Sequence, residues 1–79
     1  MGSSLIHRPA YRQFCRELRR LREQAGFTQR DLASRLKQSP SYVHKTEVGD
    51  RRIDPIEFVS WCRALGLDPS DVLRRLTKT

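Results

Sequence analysis

The nine residues S39-P-S-Y-V-H-K-T-E47 decide how this chain is read. Either the proline at 40 stops a helix, or it starts one whose outer face is dressed for a partner. Proline costs little at the first helical position, where its missing N–H has no intrahelical acceptor in any case. Ser39 before it is a good N-cap. The device recurs in D54-P-I-E57 and D68-P-S-D71, each read as a cap, a first-turn proline and an acid at the third position. Pro40 therefore starts a helix. With Val43 taken as the inward direction, Thr46 and Glu47 fall on the same side, Tyr42 lies on the flank, and Ser41, His44, Lys45 and Val48 point away.

Upstream, Thr28 offers an N-cap hydroxyl and Asp31 puts a carboxylate in the first turn. Leu32, Ala33 and Leu36 supply a short apolar face, and this helix runs only to about Leu36 or Lys37. Further back, Tyr11, Phe14, Leu18, Leu21 and Ala25 recur at steps of three and four along one helical stripe. Gly26 caps that helix in a left-handed turn and Phe27 packs back behind it. Downstream, Phe58, Trp61, Cys62 and Leu65 mark a fourth helix closed by Gly66, and Val72, Leu73 and Leu76 mark a fifth. Strand-like alternation and Gly-rich phosphate loops are missing from the sequence. The chain reads as one all-α domain over residues 10–77 with an N-terminal extension, 1–9, that is flexible or serves a protein partner. Its first four residues, MGSS, look like a cloning remnant and are set aside.

One charge is out of place. Arg22 falls inside the apolar arc of helix 1, between Leu18 and Ala25, where an unpaired guanidinium is expensive. Glu47 falls on the inner side of helix 3, so the two are expected to form an internal ion pair. Its value lies in fixing the angle of helix 3 more than in stability, because desolvation cancels much of the attraction.

The net charge of +7 is placed unevenly. Residues 1–52 carry twelve Lys+Arg against five Asp+Glu, and residues 53–79 carry four of each. The whole excess lies in the first two thirds, which suits a polyanionic partner; a solvated basic face remains the plain alternative. No apolar run approaches the ~20 residues of a membrane span, and the N-terminus lacks a signal-peptide core, so a cytoplasmic protein is expected. Cys15 and Cys62 sit on apolar faces as reduced small hydrophobes. No Ser/His/Asp or Cys/His set is placed for catalysis and no metal-ligand spacing occurs, so neither an enzyme nor a cofactor or metal is expected.

A small, polar, cationic outer face, reached by a tight turn from a short helix, matches a helix-turn-helix whose second helix enters the major groove. The runs T28-Q-R-D-L-A-S-R-L36, S39-P-S-Y-V-H-K-T-E47 and G49-D-R-R52, with the closing L65-G-L-D-P69, resemble the phage lambda repressor/Cro-like family, also called the xenobiotic-response-element (XRE) family. The resemblance covers residues 11–76. It implies a five-helix lambda-repressor-like fold, a phosphate contact from Gln29, and the Arg22–Glu47 pair. Four positions depart from it. Lys37 stands where the turn usually has glycine, Gln38 where it has an apolar residue, and Pro40 where a base- or phosphate-contacting glutamine is frequent. Thr46 replaces a larger apolar side chain.

Candidate base contacts are Ser41, His44 and above all Lys45, which can donate to guanine O6 and N7; a solvated lysine or a phosphate contact is the alternative. Candidate phosphate contacts are Gln29 and Ser39 at helix starts, Tyr42 through its hydroxyl, and Arg51 and Arg52 in the loop after helix 3. Arg30, Arg35 and Lys37 add to the field. The helix 1 arginines read as a solvated face, and Trp61 as core. Val72, Leu73 and Leu76 are the expected surface of a homodimer on a pseudo-palindromic operator, which makes the chain a transcriptional regulator, a repressor by preference. Two rivals remain. One is an antitoxin-type module that neutralises a partner protein and binds DNA for autoregulation. The other is binding to nucleic acid or an anionic membrane by charge alone.

Overall fold

The computed structural model describes residues 8–77. Five helices follow one another: α1 (Pro9–Gln24), α2 (Gln29–Leu36), α3 (Pro40–Val48), α4 (Pro55–Ala64) and α5 (Pro69–Leu76). Strands are absent among the described residues. Of the proposed extension, residues 1–7 lie outside the described residues; α1 already begins at Pro9, one residue earlier than expected.

Every proline of the chain starts a helix. Pro9 begins α1 behind an Arg8 that makes no side-chain cap and with no acid in the first turn, so the proline alone recurs at this fourth site. The Thr28 hydroxyl accepts the Asp31 N–H while Asp31 accepts the Thr28 N–H, and Asp54 and Glu57 form the same reciprocal box on α4. Ser39 Oγ accepts the Tyr42 N–H at 3.2 Å. At α5 the third-position acid does something else. Asp68 accepts from Ser70, and Asp71 pairs with Arg74 instead of reaching back.

The helix ends follow the same logic. Gly26 is left-handed at φ 81°, and the Phe27 N–H closes onto the Arg22 carbonyl at 3.1 Å. Ala25 is the C-cap of α1 and lies exposed, so it leaves the apolar stripe. Lys37 takes the conformation its usual glycine would hold, φ 57° and ψ 42°. A left-handed residue with a Cβ costs about 1–2 kcal/mol, and glycine loses about 0.5–1 kcal/mol more entropy on folding. Lys37→Gly is therefore expected to stabilise the fold by about 0.5–1 kcal/mol, a rise of a few degrees in melting temperature. A melt at or below that of the parent would show the turn to be relaxed as it stands.

All five helices feed one core. Leu18 and Leu21 enter from α1, Leu32 and Ala33 from α2, Val43 from α3, Phe58, Trp61 and Cys62 from α4, and Val72 from α5. Trp61 is completely buried. α2 packs most extensively on α3, and α1 backs α3 from the other side. The two cysteines are buried and free, and burial, with a smaller push from Asp68, raises the Cys62 thiol to about 11.

The expected self-association surface changes here. Val72 is only 1% exposed and belongs to the core, so it has nothing to offer a second copy. Leu76 is half-buried against the same cluster. Leu73, at 48% exposure, is what remains. It borders a groove of about 310 Å³ lined with Phe14, Ile53, Asp54, Pro55 and Phe58.

Candidate nucleic-acid interface

α3 is short and carries its apolar residues on one side only, so its orientation is set by Val43, Thr46 and Glu47, all buried. Thr46 is enclosed without penalty because its hydroxyl donates to the Tyr42 carbonyl at 2.8 Å. Ser41, His44, Lys45 and Val48 are exposed together on the opposite face, with Tyr42 half-buried at its edge. Lys45 and, beyond the helix, Arg52 are exposed and have no ion-pair partner among the described residues.

Behind that face stands a buried ion pair. Arg22 and Glu47 are 6% and 5% exposed, and the guanidinium meets the carboxylate at two points, Nε to Oε2 at 2.6 Å and Nη2 to Oε1 at 3.1 Å. Arg22 Nη1 also donates to the Phe27 carbonyl at 2.8 Å, tying the pair to the α1–α2 turn. The Glu47 hydrogen bond outweighs burial and holds the Arg22 pKa above its ordinary value. The carboxylate is thus gripped from α1 and, through Gln29 Nε2 to Oε1 at 3.0 Å, from the first residue of α2. Gln29 therefore gives one amide hydrogen to the interior.

Arg51 is placed differently from the expectation. Its guanidinium meets Glu57 at two points, 3.1 and 3.4 Å, reaches Thr46 Oγ1 at 3.4 Å, and stacks on the Tyr42 ring at 4.5 Å. It braces α3 against the start of α4, so of the two loop arginines only Arg52 stands free. The Tyr11 hydroxyl secures the same loop, donating to the Arg51 carbonyl at 3.3 Å and accepting the Ile53 N–H at 3.2 Å. Arg35 is likewise engaged, over the Phe27 ring at 4.8 Å and with Nη1 on the Ala64 carbonyl at 3.4 Å.

Burial pushes the Glu57 carboxyl up, but the Asp54 N–H and the Arg51 and Tyr42 hydrogen bonds outweigh it and hold the pKa below the ordinary glutamate value. A depressed folded pKa means the folded state takes up this proton less readily than the unfolded one. The resulting stability is complete above the unfolded value of about 4.3 and is lost as pH falls through the folded value. Glu57→Gln should accordingly flatten the acid limb of a stability-versus-pH curve below about pH 4.5. Parallel limbs for the two proteins would remove Glu57 from the acid response.

A cleft of about 360 Å³ between α1 and the α2–α3 hairpin was not legible beforehand. Arg12, Arg16 and Arg19 line it together with Gln29, His44 and Val48, and Cys15 and Glu47 form part of its wall. These arginines, spaced one helical turn apart, open beside the outer face of α3 rather than onto remote solvent. Arg16 and Arg19 hold Gln13 and Glu23 through exposed contacts of 2.8 and 3.1 Å, which surface water readily replaces. The stripe of arginines around a buried Cys15 was the signal that sequence reasoning passed over.

Among the described residues, no three His, Cys, Asp or Glu side chains gather as metal ligands, and no helix is long and apolar enough to cross a membrane. The family model described as "Helix-turn-helix domain" matches residues 13–76. No curated protein matches the chain. Among solved structures, an XRE-family like protein from Pseudomonas syringae pv. tomato str. DC3000 is similar at 41% identity and a TM-score of 0.84, over 95% of this chain and 92% of that one. The clp gene regulator ClgR from C. glutamicum is similar at 34% identity and a TM-score of 0.72, over 78% of this chain and 80% of that one. With residues 13–76 matched and 41% identity along almost its whole length, the chain belongs to the XRE-like helix-turn-helix family.

Proposed function

We propose that this protein is a DNA-binding transcriptional regulator of the cytoplasm, a repressor that binds a pseudo-palindromic operator as a homodimer. The observation that carries the reading is the outer face of α3. Ser41, His44 and Lys45 are exposed there on a helix fixed from behind by a two-point buried ion pair. A side chain can read a base edge only if the helix beneath it is held at one angle. The similarity to the clp gene regulator ClgR supports the regulatory role.

Lys45, His44 and Ser41 approach base edges in the major groove, Lys45 toward guanine O6 and N7. The phosphate contacts come from the free N–H groups at the start of α3 beside Ser39, from Arg52, and from Arg12, Arg16 and Arg19 along the cleft. Gln29, Tyr42 and Arg51 support this face from within. One such module buries about 600–1,000 Å² on DNA, too little for tight specific binding, whereas a two-fold dimer doubles it with reading helices about 34 Å apart. Leu73 and the groove beside it are the surface for the second copy. They belong mostly to the charge-balanced part of the chain, where two copies do not repel one another.

Footprinting on the DNA upstream of its own gene, with sedimentation of the same sample, tests the proposal. A protected site with two-fold symmetry and a dimer mass are expected. A single stoichiometric protein covering the Leu73 groove, with no protected site, would move the reading to the antitoxin class. Lys45→Ala is expected to weaken binding to the protected site by about 1–3 kcal/mol while leaving non-specific binding nearly unchanged. Equal loss on scrambled duplex would make Lys45 a phosphate contact.

A further inference from the structure

We infer that the buried ion pair selects the tautomer of His44 and makes it a dedicated hydrogen-bond donor to purine N7; the inference rests on the DNA-binding reading above. Glu47 Oε1 already accepts from Arg22 Nη2, and Gln29 Nε2 fills its other lone pair at 3.0 Å. This fixes which end of the Gln29 amide faces inward, because a reversed amide would set its oxygen against a carboxylate oxygen. The second amide hydrogen of the same Nε2 is left for the His44 ring, whose Nδ1 lies 3.5 Å away. A donor facing Nδ1 requires a lone pair there, so the proton of the neutral imidazole resides on Nε2. At 3.5 Å the contact is long, and a small rotation of the exposed ring shortens it when the ring is pressed by a duplex.

A ring so fixed offers an N–H at its outer edge and no acceptor. Of the major-groove acceptors it can meet, N7 is the one adenine and guanine both present, guanine O6 and thymine O4 being the others, and it has nothing for the amino groups of adenine or cytosine. Without Gln29 in place the ring is free to present either a donor or an acceptor. Gln29 is thus a positioning residue, and His44 is the specificity-determining one.

The test uses the full chain and a duplex it selects from a random pool. Purines of the half-site are replaced one at a time by their 7-deaza analogues, which lack only the N7 acceptor. At one position the substitution should weaken wild-type binding roughly fivefold or more, have no further effect on His44→Ala, and lose most of its effect on Gln29→Met. Long-range proton–nitrogen correlation spectra of the free protein at alkaline pH supply a second readout, with His44→Ala assigning the resonances apart from His7. The Nδ1–H tautomer of His44 should be more populated in Gln29→Met than in the parent. If no 7-deaza position becomes silent in His44→Ala, or the tautomer balance is the same in both proteins, the inference fails while the selected duplex keeps the DNA-binding reading intact. If the pool yields no preferred duplex, both fall together.

Discussion

Replacing Arg22 with alanine should destabilise the fold by about 3–5 kcal/mol. A chain of this length has a total stability of roughly 4–12 kcal/mol, so the loss removes about a quarter or more of it and should lower the melting temperature markedly. The size of the loss comes from what is left behind. Glu47, 5% exposed, keeps only the Gln29 hydrogen bond, and the Phe27 carbonyl loses the guanidinium that ties the α1–α2 turn. A carboxylate stranded in a site without solvent is far costlier than the pair was beneficial. The same reasoning predicts that removing both charges restores what removing one destroys. A double variant, Arg22→Met with Glu47→Met, should melt near the parent or above it. It should nonetheless bind DNA poorly, because an apolar contact sets the pitch of α3 less sharply than a two-point ion pair and gives Gln29 no carboxylate to face. If Arg22→Ala melts with the parent, the pair is ornamental. If the double variant binds like the parent, the pair stabilises without aiming the helix.

That pair was legible in the sequence because it breaks a pattern. An arginine among leucines and a glutamate beside a buried valine are each anomalous alone, and each resolves the other. Three of the five helices were legible for a similar reason: α3, α4 and α5 start with proline behind a cap, a signal that needs no knowledge of the rest of the chain. Arg51 was a different matter. It follows a glycine in a basic loop, and only the return of the chain through Asp54 to α4 brings Glu57 within reach of it. Local spacing cannot show whether a loop arginine faces solvent or its own chain six residues on. The same holds for α5. Its apolar residues 72, 73 and 76 share one arc, and periodicity does not say which of them the chain itself covers. The structure sinks Val72, half-covers Leu76 and leaves Leu73 outside. The cleft beside the α1 arginines was not legible because a solvated helix face spans a wide arc. One edge of that arc abuts α3, and the contact between α1 and α3 is tertiary information.

Trp61→Ala is the other change with a large expected effect, about 3–5 kcal/mol. The side chain is the largest among the fully buried ones and belongs to the cluster that every helix enters, so its removal opens a cavity no single neighbour can fill. Its indole adds a second term. Nε1 is buried without a hydrogen-bond partner among the described residues, and such a donor is costly. Trp61→Phe therefore trades two opposing effects: it loses some volume, but it also removes the unsatisfied N–H. Its net change should stay within about 1.5 kcal/mol, much smaller than that of the alanine variant. The comparison separates packing from polarity in one position. It also bears on function, because α4 is the surface on which α2 rests. A domain of such modest stability cannot lose a large share of it at Trp61 and still hold the α2–α3 hairpin firmly, so the alanine variant should lose DNA binding in step with its folded fraction. Binding that survives while the melting transition has vanished would mean that the hairpin keeps its shape without the core beneath it.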